Sequence, residues 1–334
     1  MAVNSVLRIN MTGMCESPKD EAKRYQTALD MATFAEQHGF KTIAVEEHHC
    51  AGNGWLPSPI TMAAMIIART QKVMVNVSAL LVTLYDPLRL AEDIAILDLV
   101  SNGRFNFVAG LGYRPIEYHA MDKSWEDRGQ LMDDVIEALL NAWTGEPFEY
   151  KGKTVRITPV PVTKPHPFFF IGGMSKTAAR RAAKFGVPFY PPQHMPELEE
   201  LYHAELARHG HKGFVYYPTE DQNSMLFLDE NPDQAWEELA PYFLRETQEY
   251  ASWKVDGVPR PSEQTTNTID DLKAQQRYVI LSPEECLERI NSRAMNCTNV
   301  LHPLVGGMPL DRAWRSLELY VEKVLPAVSP KKNI

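Results

Sequence analysis

The sequence predicts an α/β fold, a TIM (β/α)8 barrel with one insertion. Short apolar runs alternate with longer amphipathic stretches about eight times along the 334 residues, which is typical of βα units around a parallel sheet. An α/β barrel can use a chain of this length in one domain, so residues 1–334 are predicted to form a single domain. The competing fold, a doubly wound sheet, carries a glycine-rich turn after its first strand, whereas this chain has MTGMCESP there, with one glycine.

Local signals define the elements of the first half. Serine or aspartate followed by proline at Ser17–Pro18, Ser58–Pro59 and Asp86–Pro87 is typical of helix starts, and Asn102–Gly103 indicates a turn. The predicted strands are 6–11, 42–47, 73–81 and 104–110, and the predicted helices are 18–38, 58–70, 87–100 and 125–143.

The second half continues the alternation with two irregular parts. Residues 146–159 indicate a small hairpin outside the barrel, and residues 251–280 are polar and irregular. We interpret 251–280 as the insertion, either a lid over the active site or plain surface. The predicted strands are 168–173, 187–190, 213–218 and 299–304, and the predicted helices are 176–185, 196–209, 233–250, 283–294 and 309–325.

Composition narrows the class of protein. The 34 basic and 43 acidic residues give a net charge of −9, which disfavours nucleic acid and anionic membranes as partners. The four cysteines (Cys15, Cys50, Cys286 and Cys297) form no C-x-x-C motif, and the N-terminus does not resemble a signal peptide. No segment approaches the roughly 18 apolar residues that cross a bilayer. We therefore expect a soluble, cytoplasmic protein with reduced thiols.

The segment VEEHHC (45–50) is the densest group of chemically active residues. It follows the second predicted strand, and barrel active sites lie at the C-terminal ends of strands. His48 and His49 point in opposite directions if the strand continues, and no second histidine cluster completes a metal site. The residues leave three alternatives open: an imidazole acting as acid or base, a metal site, or a polar pair that only bonds its neighbours.

Two glycine-containing segments are candidates for ligand binding. In IGGMSKTAARR (171–181), backbone amides before a helix, with Ser175 and either Arg180 or Arg181, would hold a phosphate; the alternative is a serine N-cap. In GLGYRP (110–115), glycines would allow a flat ligand close to the backbone. Rim aromatic residues would line an apolar substrate pocket or simply pack: Trp55, Tyr85, Tyr113, Tyr118 and Tyr190.

Longer segments carry a family resemblance. They are GFKTIAVEEHH (39–49), PLRLAEDIAILDLVSNGRFNFVAGLGYRPIEY (87–118), DRGQLMDDVIEALLNAWTGE (127–146), FFFIGGMSKTAARRAAKFG (168–186) and GMPLDRAWRSLELYVEKVLP (307–326). The combination of EHH with the downstream AEDIAILDLVSNGRF is the most specific part. Over most of its length, and in the same order, the chain resembles the bacterial luciferase-like flavin monooxygenase family.

The resemblance implies a TIM barrel that binds reduced FMN (FMNH2) at the C-terminal ends of its strands. In such proteins a separate NAD(P)H:flavin reductase supplies the FMNH2. Its reaction with O2 gives a C4a-peroxyflavin that oxygenates a small organic substrate. The resemblance also implies a homodimer formed through the early helices.

The resemblance also implies roles for individual residues. His48 matches the catalytic imidazole, and Glu47 and His49 are expected to orient it or to pack the strand end. Ala79 and Leu80 lie where the family has a bulge with a non-prolyl cis peptide beside the flavin ring. The remaining cofactor-binding residues are Gly110, Leu111, Gly112, Tyr113 and Arg114 alongside the flavin, and Gly172, Gly173, Met174 and Ser175 at its phosphate.

The chain also departs from the luciferases proper. Gly110 stands where they have a cysteine, Leu111 stands where they have a phosphate-loop arginine, and Arg114 is a candidate to replace that arginine. The tryptophan that usually precedes EHH is missing, so light emission is not expected. Two alternatives are a deazaflavin-dependent reductase or dehydrogenase on the same barrel and a non-catalytic flavin-binding protein. EHH favours FMN, since deazaflavin relatives often have Asp-His there.

Overall fold

The computed structural model describes residues 3–218, 224–255, 257, 266–292 and 297–328. The strands are β1 (Val3–Ile9), β2 (Thr42–Val45), β3 (Met74–Leu80), β4 (Phe105–Ala109), β5 (Phe148–Tyr150), β6 (Lys153–Val155), β7 (Phe169–Gly172), β8 (Phe189–Tyr190), β9 (Met225–Leu228), β10 (Tyr278–Leu281) and β11 (Cys297–Leu301). The helices are α1 (Pro18–Gln37), α2 (Pro59–Arg69), α3 (Pro87–Ser101), α4 (Pro115–Ala120), α5 (Arg128–Ala142), α6 (Lys176–Phe185), α7 (Pro196–His209), α8 (Pro232–Ser252), α9 (Ile269–Gln275), α10 (Pro283–Asn291), α11 (Leu310–Leu319) and α12 (Leu325–Val328).

Nine of these strands form one parallel sheet in the order β10-β9-β11-β1-β2-β3-β4-β7-β8. Strand β1 lies between β11 and β2, with Leu7 paired to Leu301 on one side and Ile43 on the other. The helices alternate with the strands along the chain, which confirms the α/β, TIM-barrel fold class. Because the strands are parallel, their C-terminal ends and the loops after them meet at one rim.

The predicted helix starts are confirmed, two of them with a side-chain cap, whereas Ser58 before α2 makes no cap hydrogen bond. The Ser17 hydroxyl accepts a hydrogen bond from the Asp20 amide, and the Asp86 carboxylate accepts from the amides at the start of α3. Asn102 ends α3 in the left-handed region, with φ of 54°. Such caps satisfy backbone groups that have no partner inside the helix, so the same signals can be recognised in the sequence. The predicted hairpin is also confirmed as the antiparallel pair β5–β6.

The predicted strand 213–218 is reduced, among the described residues, to one parallel β-bridge between Val215 and Phe189. Two backbone hydrogen bonds flank it, from the Phe189 amide to the Phe214 carbonyl and from the Tyr216 amide to the Phe189 carbonyl. Phe214 and Tyr216 also pack against Phe170, so aromatic packing accounts for much of the apolar character of the segment. The sequence analysis missed β9, whose four residues are all buried, so it lacks the alternation that marks a half-exposed strand.

The segment 251–280 is more regular than its composition suggests. It contains the end of α8, then α9 and the strand β10, which pairs with β9. The capping box of Thr268 with Asp271 starts α9. Residues 256 and 258–265 of the predicted insertion lie outside the described part of the chain. In the described part, no helix is long and apolar enough to cross a membrane.

Candidate active site

The loop after β2 places His48 at the rim of the barrel. The side chain is 7% exposed, and the His48 amide donates to the Leu56 carbonyl at 3.1 Å. Nδ1 of the imidazole lies 3.0 Å from Oε1 of Glu117, and Nε2 lies 3.0 Å from the Tyr113 hydroxyl. Both ring nitrogens are therefore engaged, one by a carboxylate and one by a phenol.

Glu117 lies on α4, a short helix that the sequence analysis missed. Its side chain is fully buried, and Arg114 Nη1 donates to it at 3.1 Å. Burial alone would raise the pKa of Glu117, but the hydrogen bond and charge of His48, the His49 amide and Arg114 outweigh it and lower that pKa. Glu117 is therefore an ionised carboxylate against the ring of His48.

Glu47 and His49 form a separate group. His49 Nε2 lies 2.9 Å from Glu47 Oε1, which also accepts from the Tyr85 hydroxyl at 2.6 Å. The other Glu47 oxygen accepts from the Leu81 amide at 2.6 Å. These contacts tie the end of β2 to the end of β3. Glu47 therefore packs the strand end, and it is Glu117 and Tyr113 that contact His48.

Four aromatic rings surround the imidazole of His48. Their centroids lie 5.0 Å (Trp55), 5.4 Å (Tyr113), 6.0 Å (Tyr250) and 4.7 Å (Trp253) from its own. Burial is the main cause that raises the pKa of Tyr113 well above 10, so its phenol stays protonated. The rings exclude water from one side of His48, and the neutral phenol provides a hydrogen-bonding group at Nε2.

Helix α8 and its C-cap residue, Trp253, supply two of these rings, and the helix is anchored by a buried carboxylate. Glu246, Tyr250 and Trp253 are spaced by four and three residues, so they share one face of the helix. Glu246 is fully buried. It accepts hydrogen bonds at 2.6–2.8 Å from Asn10 and Thr12, which follow β1, and from Tyr278 in β10. His302 lies 3.4 Å away at the end of β11.

The ends of β3 and β4 approach each other closely. The peptide Ser78–Ala79 is cis, and the β3–β4 register shifts between Ser78 and Leu80. The Gly110 amide donates to the Leu80 carbonyl at 2.8 Å, and a Cβ on Gly110 would lie 2.8 Å from the Ala79 methyl group. A cysteine at position 110 would therefore collide with β3.

The loop after β7 leads into α6. A Cβ on Gly172 would lie 2.7 Å from Val108, and one on Gly173, with φ of 149°, would lie 2.7 Å from Ala178. Ser175 is the N-cap, and its hydroxyl accepts from the Ala178 amide at 3.2 Å. The first amides of a helix have no acceptor within it, so this narrow, glycine-lined cradle leads to the helix-terminal amides of α6, of which the Ser175 hydroxyl already takes that of Ala178.

Comparison with known proteins decides the family. The model of the luciferase-like monooxygenase family matches residues 9–295. The chain belongs to the luciferase-like monooxygenases. Family membership confirms the resemblance found in the sequence.

The chain is also similar to individual members of the family. It is 22% identical over 331 residues to the flavin-dependent trigonelline monooxygenase, oxygenase component, of Acinetobacter baylyi, covering 92% of this chain and 91% of the relative. It is 27% identical to the alkanal monooxygenase beta chain of Vibrio harveyi over 193 residues, 54% of this chain and 59% of that one. Matches to the first curated relatives span about half of their length, between 49% and 59%.

Solved structures agree on the fold. The crystal structure of monooxygenase RslO1 from Streptomyces bottropensis superposes with a TM-score of 0.74 at 23% identity, covering 97% of this chain and 99% of that one. At this identity the likeness establishes the barrel architecture. Activity has to be argued from the site itself.

Some residues singled out in the sequence lie apart from the His48 group in this luciferase-like monooxygenase. Arg181 pairs with Asp133 at 2.5 Å and is buried, whereas Arg180 is exposed and lies 3.5 Å from Glu205. Arg114 binds the His49 carbonyl and Glu117 and stacks over Trp253 at 3.9 Å, so its guanidinium lies against the His48 group.

The predicted aromatic pocket is only partly correct. Trp55 and Tyr113 do flank His48, whereas Tyr85 binds Glu47, Tyr118 bonds Thr83 and Leu111, and Tyr190 packs on Phe170. Glu117, Tyr250 and Trp253 were missed. A signal for Glu117 existed in YRPIEY, where Pro115 starts a helix and a carboxylate follows two residues later.

Proposed function

We propose that the protein is a two-component monooxygenase that uses FMNH2 and O2 to oxygenate a small organic substrate through a C4a-peroxyflavin. A separate NAD(P)H:flavin reductase supplies the FMNH2. The observation that carries the proposal is His48, a buried imidazole at the barrel rim with Glu117 at one nitrogen and Tyr113 at the other. This arrangement suits a group that exchanges a proton with an oxygen species protected from water.

The cradle before α6 supports binding of the FMN phosphate. Gly172, Gly173, Met174 and Ser175 form this loop, and the amides of the first turn of α6 favour an anion. The Ser175 oxygen accepts from the Ala178 amide, and its O–H would at the same time donate to the phosphate. Arg181 is held in a buried pair with Asp133, so the backbone amides would supply most of the attraction.

The loops after β3 and β4 support binding of the flavin ring. Ala79 and Leu80 at the cis peptide and Gly110 to Arg114 face one another across the rim. Close approach of these backbones leaves no room for a side chain at Gly110, so this chain would hold the ring with peptide groups and the Leu111 side chain. Bound there, FMN would supply the electrons that activate O2. The chain would position the flavin ring, exclude water from it and supply a proton.

In this proposal His48 is the catalytic residue. Its Nε2 would hold or deliver the proton, and Tyr113, which bonds that nitrogen, would pass it on or give way to the oxygen species. The rings of Trp55, Tyr250 and Trp253 would exclude water while the proton is held. Glu47, the second predicted catalytic residue, would act by fixing the β2–β3 loops and not by touching the ring of His48.

An exposed apolar stripe supports the proposed homodimer. Leu99 and Val100 follow Ile96 by three and four residues on α3, and Met65 is exposed on the neighbouring α2. Burying such a stripe against a second copy removes it from water. We expect Leu99→Glu to convert a dimer into monomers in light scattering. A wild-type protein that is monomeric at high concentration would contradict this part of the proposal.

Anaerobic titration tests the proposed cofactor against the two alternatives. FMNH2 and reduced deazaflavin are titrated separately into the protein, and air is then admitted. The proposal predicts saturable FMNH2 binding, followed by oxygen consumption and oxidised FMN. A deazaflavin enzyme would bind only the deazaflavin, and a flavin-binding protein would bind FMN without converting any compound from a panel of candidate substrates. Absence of FMNH2 binding would eliminate the proposal.

The cytoplasm, which provides NAD(P)H, is the proposed location.

A further inference from the structure

One oxygen of Glu117 is the meeting point of three hydrogen-bond donors. Oε1 accepts from His48 Nδ1 at 3.0 Å, from the His49 amide at 3.0 Å and from Arg114 Nη1 at 3.1 Å. Oε2 is buried and has no partner among the described residues. Two of the three donors to this carboxylate therefore belong to the His48–His49 loop, and the third is Arg114.

This arrangement determines which nitrogen of His48 carries the proton. An ionised carboxylate can only accept, so the nitrogen that faces it, Nδ1, must be protonated. In the neutral ring Nε2 is then an acceptor, and the Tyr113 hydroxyl donates to it. If the ring gains a proton, Nε2 becomes the donor and Tyr113 the acceptor.

We propose that Glu117 is a positioning residue that fixes His48 in the Nδ1–H tautomer and thereby reserves Nε2 for the proton used in oxygenation. The inference rests on the proposed function only for the use of that proton. The tautomer itself follows from the geometry, and it can be measured in the protein without flavin.

The charged and titratable groups around His48 support this assignment. Arg114, which precedes α4, balances the charge of Glu117 and is held by the His49 carbonyl at 2.5 Å. Tyr113 comes from the loop after β4 and Tyr250 from α8; a hydrogen bond links the two phenols. The Glu47–His49 pair lies on the other side of the β2 end. Among these groups, Glu117 is the carboxylate in contact with the His48 ring.

The pairing would also hold the ring of His48 in place. A carboxylate that holds Nδ1–H fixes the plane of the ring, as outer-shell carboxylates do for histidines that bind metals. A purely structural Glu117 would serve only as the buried partner of Arg114. Only in the positioning role does a change at Glu117 alter the tautomer of His48. Only in that role does turnover fall while the affinity for flavin stays the same.

The first experiment measures the tautomer directly. Nitrogen-15 chemical shifts of the histidine rings are recorded in flavin-free protein, with His48→Gln used to assign the signal. The inference predicts the Nδ1–H form for neutral His48 and the same form in Tyr113→Phe, which lacks the partner of Nε2. A wild-type signal of the Nε2–H form would overturn it without any further variant.

The second experiment separates positioning from packing with matched variants. Glu117→Gln keeps an acceptor oxygen and removes the charge, whereas Glu117→Met removes both. We expect the Nδ1–H form to persist in Glu117→Gln and to be lost in Glu117→Met. We also expect turnover to fall about 10²-fold in Glu117→Met, with the FMNH2 dissociation constant little changed. Equal losses of binding and turnover, with the tautomer unchanged, would contradict the inference.

A control and a fallback keep the test decisive. Glu36 on α1 also accepts several backbone amides, those of residues 71–73, but it lies near the opposite ends of the strands. Glu36→Gln should leave both the His48 tautomer and the turnover unchanged. If Glu117→Met does not fold, the wild-type and Tyr113→Phe spectra still decide the tautomer. If FMNH2 fails to bind, the proposed function fails while the tautomer result stands.

Discussion

Two adjacent histidines differ in chemistry here because their partners differ. His48 is held between Glu117 and Tyr113 inside an aromatic shell, whereas His49 is held by Glu47 at the strand end. The sequence identifies the pair and, through the family resemblance, favours His48. It does not identify Glu117, because a contact between residues 69 positions apart depends on how the loops after β2 and β4 meet.

Replacement of His48 tests the residue scale. His48→Ala should lower turnover about 10²–10⁴-fold, because it removes the proton-transferring group while the phosphate cradle stays intact. Flavin titration should give nearly the same FMNH2 dissociation constant as the wild type. His203→Ala, on the half-exposed surface of α7, serves as the control and should match the wild type. Unchanged turnover in His48→Ala would remove His48 from the mechanism.

At the element scale, the sequence predicts elements well where the ends carry strong local signals. The residue-level agreement for α6 and α7 follows from a serine cap or a proline at the start and a glycine in the left-handed region at the end. Elements defined by tertiary context were missed. The six-residue helix α4 and the four-residue strand β9 are too short to show a period, so only their burial against the rest of the barrel identifies them.

The start of α6 gives a prediction for phosphate binding. The wild type should bind FMNH2 at least about tenfold more tightly than reduced riboflavin, because a phosphate gains charge-assisted hydrogen bonds from the first amides of the helix. Gly173→Ala should abolish most of this difference, since its methyl group would lie 2.7 Å from Ala178. Titration with both flavins measures it.

The control for this prediction is Gly152→Ala. Gly152 also has a positive φ, of 75°, but a Cβ there meets nothing within 4 Å. The variant should keep the preference of the wild type for FMNH2. Equal affinities of the wild-type protein for the two reduced flavins would place the phosphate elsewhere.

At the scale of the whole molecule, the two ends of the chain belong to one structure. Strand β1 pairs with β11, and one apolar core includes residues from Leu7 to Val324. We therefore keep the prediction of a single domain and expect one cooperative unfolding transition. Two separated transitions in calorimetry would indicate two domains.

The stability of the molecule should depend on pH through Glu246. Burial raises its pKa, but the charge and hydrogen bond of His302, together with Arg8 and Arg277, lower it well below its usual value of 4.5. A carboxyl group whose pKa is lower in the folded than in the unfolded protein stabilises the fold at any pH above the pKa of the unfolded state. That contribution is lost as the pH falls below about 4.5 towards the folded pKa.

Urea unfolding of Glu246→Gln tests this dependence. At pH 7 the variant should lose about 3–5 kcal/mol, because it leaves buried partners of the carboxylate unpaired. The difference in unfolding free energy from the wild type should shrink as the pH is lowered through 4.5. Glu137→Gln, at an exposed position of α5, would be the comparison on the surface. A difference that stays constant as the pH is lowered from 7 to well below 4.5 would show that Glu246 is not ionised in the folded protein.

The most direct test of the central claim is the reaction of the bound reduced cofactor with oxygen. The protein is saturated with FMNH2 without air and mixed rapidly with oxygenated buffer, and the return of oxidised FMN is followed by absorbance. The account predicts that oxidised FMN returns more slowly than from free FMNH2, through a transient peroxyflavin absorbance, and that His48→Ala shortens the life of that species. Reoxidation at the rate of free FMNH2, or no reaction with oxygen, would contradict the account.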